Sequence, residues 1–239
     1  MEINTPPIFT EGDMRNFNYI VRHKRNLLKA FNMFISVIHL IYKEVPDLDV
    51  DFIDLKNRVL QHDLDKFKPE IFYGYSKKYY NENSLMAERL GVRGKNSPFP
   101  EVVLASLDLD SKQKIEDDFK KAFEKHYNNN RHHPEYYKSK GGKMKDIDIC
   151  EMCIDFTAMS IKFGGKPYDY YNDKKRELKR EFKDIINYDL MSKILEVISS
   201  SFNFREVDEE DEQKWYLPPL PIKGVGIIYI KKLGYKTYL

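Results

Sequence analysis

Apolar side chains recur every three or four residues along most of this chain, and no other feature of the sequence constrains its fold as strongly. Such spacing places one apolar stripe on a helix of 3.6 residues per turn. The segments that carry the pattern are 13–44, 51–67, 69–75, 111–127, 146–163, 172–186 and 189–202. Because each stripe must be buried against another element, we expect a mainly α-helical bundle in which 13–44 is one long helix.

Several residues indicate where these helices begin and end. Asp51 and Asp146 are suited to cap helix starts, since an aspartate oxygen can accept backbone N–H groups that have no partner within the helix. Pro69 suits the first turn of a helix, and Gly164 suits the end of the helix that starts at Asp146. The asparagine run 128–130 weakens the helix that precedes it.

The last part of the sequence differs in composition from the helical region. Residues 206–212 are acidic and predict a solvated linker, 217–221 are proline-rich and extended, and 224–238 contain two short β-like runs. We therefore expect a helical domain at 13–202 and a short extended or β-like appendage at 203–239. In a competing interpretation the apolar run from Gly224 packs onto the helices, because it would otherwise expose an aggregation-prone edge.

Charge and hydropathy argue against several classes of partner. The formal net charge is +2, with 40 basic and 38 acidic residues interspersed, so no broad positive field predicts nucleic-acid binding. The longest apolar stretch, 33–42, is far shorter than the roughly 20 residues of a membrane-spanning helix. The first residues lack the apolar core of a secretory signal. We expect a cytoplasmic protein that binds neither nucleic acid nor membrane.

Two cysteines, Cys150 and Cys153, form a lone C-x-x-C motif in a helical context. A structural zinc site would normally add a second pair or two histidines at compatible spacing, and none follows them. We expect both to be reduced helix residues that pack as small apolar side chains.

The histidines and aspartates are grouped in a way that predicts a metal site. Imidazole and carboxylate ligands together suit zinc, iron, manganese or similar divalent ions, and an aspartate beside a histidine can bridge two of them. His39 is excluded because it lies in an apolar run with no carboxylate beside it. The other five histidines lie in polar motifs or on inward helix faces: His23, His62, His126, His132 and His133.

The order of these residues resembles the HD-domain superfamily of metal-dependent phosphohydrolases. Its pattern has an early histidine, a His-Asp doublet at a helix end, later histidines and a final aspartate on another helix. The segment 62–66, H-D-L-D-K, also looks like the H-D-x-x-K form found in cyclic-dinucleotide hydrolases of that superfamily. The resemblance implies an HD-like helical bundle with these metal ligands: His23, His62, Asp63, His126, His133 and Asp155.

A closer resemblance is to a family of uncharacterised phage and bacterial proteins of unknown function. Its motifs are R-H-K, H-D-x-x-K-F, H-x5-H-H and E-M-x-x-D, and the matching segments are 22–24, 62–67, 126–133 and 151–155. The resemblance covers about 19–164. It supports the metal ligands and implies no particular substrate.

The spacing of His126 and His133 leaves two arrangements open. On a continuous helix they would share a face but stand about two turns, roughly 10 Å, apart, which is too far for one ion. Either the asparagine run breaks the helix and brings them together, or one binds metal while the other contacts the substrate.

Three further residues are predicted to take part in catalysis. Lys66, about one turn beyond Asp63, would bring an ammonium group to a phosphate oxygen. Glu151, one turn before Asp155, would orient a ligand histidine or carry a proton. His132 would offset negative charge on the substrate.

These features predict a metal-dependent phosphohydrolase acting on a nucleotide or a related small phosphate ester. One or two ions of manganese, zinc, cobalt or iron would lower the pKa of a bound water and polarise the phosphoryl oxygens. Some of the 17 tyrosines could stack on a base. Two alternatives stay open: an HD-type di-iron oxygenase with similar ligands, and a non-catalytic protein that sequesters a nucleotide.

Overall fold

The computed structural model describes residues 10–80 and 109–204. These residues are mainly helical and include no strand, so the predicted mainly α-helical fold is confirmed. None of their helices has the length and apolar character needed to cross a membrane. The helices are α1 (Glu11–Ser36), α2 (Ile38–Glu44), α3 (Phe52–Gln61), α4 (Pro69–Tyr80), α5 (Leu109–Asn129), α6 (Pro134–Lys140), α7 (Asp146–Phe163), α8 (Pro167–Phe182) and α9 (Tyr188–Ser201).

The chain divides into two compact units, and neither is continuous in sequence. Within the described residues, the first unit comprises 10–22, 62–80 and 109–130, and the second comprises 23–61 and 131–204. Almost all of the predicted appendage, from residue 205 onward, lies outside the described residues. The predicted domain boundary therefore stays a prediction.

Helices α4 and α5 pack against each other in the first unit. They approach closely at Gly74, where an added Cβ would lie 2.5 Å from the Cβ of Ala122. Glycine at this position is what allows the two helices to approach. Aromatic rings continue the packing with centroid distances of 5.3–6.0 Å, and these rings belong to Tyr75, Tyr79 and Phe119.

The first part of α1 is joined to α4 by buried polar contacts in the same unit. The hydroxyl of Ser76 donates to Asp13 Oδ1 at 2.6 Å, and the side-chain amide of Asn16 donates to the carbonyl of Phe72 at 3.1 Å. Thr10 also donates to Asp13, through its backbone N–H and its hydroxyl. These bonds satisfy side chains that would otherwise be costly to bury.

Helix α7 lies in the apolar core of the second unit, where it packs against α3, α8 and α9. Both predicted reduced cysteines, Cys150 and Cys153, lie on this helix; they are free and buried. Burial raises the pKa of each thiol, so both are neutral thiols near pH 7. The expectation that they pack as apolar side chains is confirmed.

Several predicted helix ends are confirmed. Asp51 precedes α3, and its Oδ1 accepts the backbone N–H groups of Ile53 and Asp54. Helix α4 begins at Pro69. Helix α7 ends before Gly164, which has a φ of 78° that favours glycine.

The prediction of one helix over 13–44 is wrong, because the chain leaves the helical path at Val37 between α1 and α2. The hydroxyl of Ser36 donates to the carbonyl of Met33, and the N–H of Val37 is shared between the carbonyls of Met33 and Phe34. A side-chain hydroxyl that binds a nearby carbonyl competes with the regular helical hydrogen bonds.

Three further predictions about helix ends are wrong. The segment 51–67 is not one helix, because α3 ends at Gln61 and the left-handed backbone of Asp63 separates it from the 3₁₀ helix Leu64–Phe67. Asp146 does not cap α7: its Oδ2 accepts the N–H of Asp49, while Asp148 in the first turn accepts the N–H of Lys145. Helix α8 begins at Pro167 and ends at Phe182, rather than spanning 172–186. The short helix α6 was not predicted at all, although a proline in its first turn suits it.

Candidate metal centre

The His-Asp doublet lies in a sharp turn that directly follows α3 in the sequence. Asp63 has a φ of 60° and is the one non-glycine residue with positive φ in the described part of the chain. Aspartate tolerates this left-handed backbone better than most residues do. A 3₁₀ helix, Leu64–Phe67, follows, and the N–H of Lys66 donates to the carbonyl of Asp63 at 3.0 Å. The turn thereby places the lysine beside the aspartate.

In the first unit, Asp63 lies between two histidines. Its Oδ1 is 3.4 Å from Nε2 of His62 and 3.2 Å from Nε2 of His126. Its Oδ2 accepts a hydrogen bond from Nζ of Lys66 at 2.7 Å. The two histidines and the aspartate are each at most 2% exposed. One carboxylate oxygen therefore faces a cation, and the other faces two imidazole nitrogens.

These separations fit atoms that ligate an ion better than they fit direct hydrogen bonds. Most N–H···O bonds have a donor–acceptor distance of about 2.9–3.0 Å. Two ligand atoms that are each about 2.1 Å from one ion stand about 3.0 Å apart in octahedral coordination and about 3.4 Å apart in tetrahedral coordination. Among residues 10–80 and 109–204, no group of three or more residues whose possible ligand atoms all lie within 4.8 Å of one another contains both His62 and His126. The arrangement suits one ion at each histidine, with Asp63 as a ligand common to both.

Local charges keep Asp63 in its ligand form. Burial by itself would raise the pKa of this carboxyl, but Lys66, His62 and His126 oppose it and hold the pKa well below its ordinary value. A carboxyl group must be deprotonated to bind a metal ion. Asp63 is therefore a carboxylate across the neutral pH range.

The orientation of His126 is fixed by two residues that sequence reasoning did not select, Asp65 and Asn130. Nδ1 of His126 is 3.0 Å from both carboxylate oxygens of Asp65. The amide of Asn130 donates to Asp65 at 2.8 Å and to the carbonyl of His126 at 2.6 Å. Because the carboxylate accepts at Nδ1, the neutral imidazole carries its proton there and directs the lone pair of Nε2 toward Asp63.

The pKa of His126 reflects the same contacts. Burial by itself would lower the pKa, but the neighbouring carboxylates of Asp63 and Asp65 outweigh this effect, so the pKa is raised above its ordinary value. A sequence signal for these contacts exists, since Asn130 follows His126 by four residues and so lies on its side of the helix end. Asp65 lies on the 3₁₀ helix, 61 residues from His126 in the sequence, so its position has no such local signal.

The second unit holds the remaining predicted residues in close contact with one another. Nε2 of His23 is 3.1 Å from Oδ1 of Asp155, and Nδ1 of His132 is 3.3 Å from Oε1 of Glu151. His23, His132 and Glu151 are each at most 5% exposed. The ring of half-buried His133 lies 4.0 Å from that of His132. The predicted orienting role of Glu151 thus has a specific partner in His132.

The asparagine run does end the helix that carries His126. Helix α5 stops at Asn129, and His133 has an extended backbone, with φ of −100° and ψ of 130°, before Pro134 starts α6. His126 and His133 therefore do not lie on one continuous helix, and the two-turn separation expected for such a helix does not apply. His39, which the sequence excludes as a ligand, is half-buried on α2 and lies in no ligand group of the described residues.

Buried histidine, aspartate and glutamate groups in the described part of the chain can hold a metal ion. In the first unit the structure brings together His62, Asp63 and His126, and in the second it brings together His23 and Asp155. The complete six-ligand cage stays a prediction.

Comparison with known proteins gives one match. A family model described as "Family of unknown function (DUF5662)" matches residues 12–200. No curated protein and no solved structure matches the chain.

Proposed function

The chain belongs to the DUF5662 family, and we propose that it is a metal-dependent phosphohydrolase acting on a nucleotide or a related small phosphate ester. The observation that carries the proposal is the position of Asp63, whose Oδ1 faces two imidazole nitrogens while its Oδ2 faces Lys66. A divalent ion bound there would lower the pKa of a coordinated water and polarise the phosphoryl oxygens.

The ligand roles follow from these contacts. His62 and His126 would each bind one ion, and Asp63 would bind both. Asp65 supports this assignment because it holds the proton of His126 on Nδ1 and leaves Nε2 as the coordinating nitrogen. The other predicted ligands keep their assignment as part of the proposal: His23, His133 and Asp155.

Lys66 supports an anionic phosphoryl substrate. Its Nζ is 2.7 Å from Asp63 Oδ2, and its side chain is 17% exposed. The ring of Tyr75 lies 5.5 Å from this nitrogen and helps to hold it in place. An ammonium group fixed beside a ligand carboxylate can meet a phosphate oxygen after a small movement of its own chain.

Metal content tests the ligand assignment. The purified full-length protein should carry two divalent ions, and His62→Ala and His126→Ala should each lose one of them. Asp63→Ala should lose both, because it removes the shared ligand. His39→Ala is the matched control and should keep both ions. Full metal occupancy in Asp63→Ala would contradict the assignment of Asp63 as the shared ligand.

Turnover tests the reaction class. The protein loaded with manganese, cobalt, zinc or iron without oxygen should release phosphate or a nucleotide from some member of a nucleotide panel. Lys66→Ala should keep its ions and lose turnover, because Lys66 supplies no ligand atom to the ions and is proposed to bind the substrate. Oxygen consumption with every phosphate ester left intact would replace the hydrolase by the oxygenase. Bound metal with neither activity would favour a protein that sequesters its nucleotide.

A further inference from the structure

A chain of charged groups in the second unit leads to His132, and it begins at Asp148, whose side chain is 0% exposed. Oδ1 of Asp148 accepts a hydrogen bond from Nη1 of Arg58 at 2.6 Å. Its Oδ2 accepts from the hydroxyl of Tyr137 at 2.5 Å and from the N–H of Lys145 at 2.8 Å. A buried carboxylate is tolerated only with such donors, and in return it holds the guanidinium of Arg58 in one place.

The same guanidinium lies beside a second carboxylate. Nη1 of Arg58 is 4.0 Å from Oε2 of Glu151, which is 5% exposed. The other oxygen of this glutamate, Oε1, is 3.3 Å from Nδ1 of His132. Arginine remains protonated at every pH a folded protein experiences, so Glu151 has a permanent cation on one side and an imidazole on the other.

The carboxylate at Nδ1 decides which nitrogen of His132 holds the proton. Since a carboxylate only accepts hydrogen bonds, the neutral imidazole carries its proton on Nδ1 and its lone pair on Nε2. Metal-binding histidines almost always show this arrangement, with the second nitrogen donating to a carboxylate or carbonyl. His132 is 2% exposed, which also suits a ligand better than a residue that must meet a substrate.

We propose that Arg58, held by Asp148, positions Glu151, and that Glu151 orients His132 as a metal ligand through Nε2. The inference rests on the proposed function and changes the role of His132 from a substrate contact to a ligand of a divalent ion. Arg58, Asp148 and Glu151 are positioning residues in this scheme, since each acts on the ion through His132.

The Arg58–Asp148 pair also connects two packed helices, α3 and α7, so a structural role must be separated from a positioning role. A structural pair would change stability and leave the proton position on His132 unchanged. Asp54 provides a matched control, because its side chain is 52% exposed and accepts from Nε of Arg58 at 3.1 Å. Asp54→Asn weakens the contact of Arg58 on the surface and spares its buried contacts.

Two measurements on the full-length protein test the proposal. Zinc affinity is measured by competition with a chromophoric chelator, and the tautomer of His132 is read from nitrogen NMR of histidine-labelled protein at mildly alkaline pH. Glu151→Gln should weaken zinc binding about 10- to 100-fold and reduce the share of the Nδ1–H tautomer. Arg58→Met should weaken zinc binding about 10-fold, while Arg58→Lys, which keeps a cation, should stay within about 3-fold of wild type. Asp54→Asn should match wild type in both readouts.

The outcomes are decisive in either direction. Wild-type zinc affinity and an unchanged tautomer in Glu151→Gln overturn the proposal. Because this substitution keeps the shape of the side chain, it still tests the proposal if Arg58→Met does not fold. A loss of affinity in Asp54→Asn equal to that in Arg58→Met would assign the pair a structural role. Neither measurement requires a substrate. A protein that shows the expected zinc affinities but hydrolyses no phosphate ester would therefore contradict the proposed phosphohydrolase activity and leave the proposed positioning of His132 intact.

Discussion

Replacing Gly74 by alanine tests whether the packing of α4 on α5 controls the metal centre. A Cβ at this position would lie 2.5 Å from the Cβ of Ala122 and 2.9 Å from the backbone carbonyl oxygen of Asp118. Carbon atoms in contact are normally about 3.5–4.0 Å apart, so α5 would have to move by about 1 Å. His126 lies one turn after Ala122 on the same helix, and the movement would carry its imidazole with it.

Two opposing effects set the change in stability for Gly74→Ala. Alanine is favoured over glycine inside a helix by about 0.8–1 kcal/mol. Overpacking of a well-packed interior costs about 1–3 kcal/mol. One of the two close contacts is to backbone, which cannot rotate away, so the upper part of that range applies. We expect the free energy of unfolding to fall by about 1–2 kcal/mol.

Urea unfolding and zinc titration of Gly74→Ala give the two readouts. Metal–ligand distances tolerate errors of only about 0.2 Å, so we expect zinc affinity to fall at least about tenfold. The double variant Gly74→Ala with Ala122→Gly removes the contact between the two Cβ atoms and should recover part of both losses. A variant that is more stable than wild type and binds zinc equally well would refute the reasoning, because α5 would then accept the methyl group without moving.

Three further predictions concern charge and metal. Asp65→Asn should weaken metal binding about 10- to 100-fold by removing the carboxylate at Nδ1 of His126, and metal titration can compare it with Asp117→Asn, an exposed position on α5. Burial by itself would raise the pKa of Asp13, but hydrogen bonds from Ser76 and Thr10 lower it below its ordinary value. The contribution of Asp13 to stability is therefore present above the unfolded-state pKa of about 3.9 and is lost as the pH falls through the lower folded-state pKa. Urea unfolding of wild type and Asp13→Asn should accordingly give different stabilities at neutral pH and similar stabilities in acid. With free metal ion at about 100 times its Kd, bound metal should raise the free energy of unfolding by about 2.7 kcal/mol, and a chelator should remove this contribution. Equal melting temperatures with and without metal would contradict binding to the folded state.

Local patterns in the sequence were sufficient to place some of the candidate site. The spacing of His126 from Phe119 and Ala122 predicts an inward-facing side chain, and His126 is 0% exposed. Asp51 and Pro69 mark helix starts by chemistry that acts within a few residues. Such signals are readable because their cause and their effect lie in the same short segment.

Contacts between distant segments could not be read in this way. Asp65 and His126 are 61 residues apart, and Arg58 and Asp148 are 90 residues apart, so their pairing depends on helix packing. The sequence contains many carboxylates that could accept a hydrogen bond from a histidine, and periodicity does not indicate which carboxylate contacts which histidine. The break at Val37 is local, but it depends on a Ser36 hydroxyl that can equally well face solvent.

The interleaving of the two units has a consequence for how the protein is made and inherited. On the ribosome, residues 10–22 of the first unit emerge well before 109–130, so that unit cannot close until about residue 130 has left the exit tunnel. The segment 23–61, which belongs to the second unit, must be synthesised in between. A gene fragment that encodes one continuous half of the chain would therefore encode neither unit whole. Recombination would rarely transfer one unit alone, and we expect the two to be inherited together.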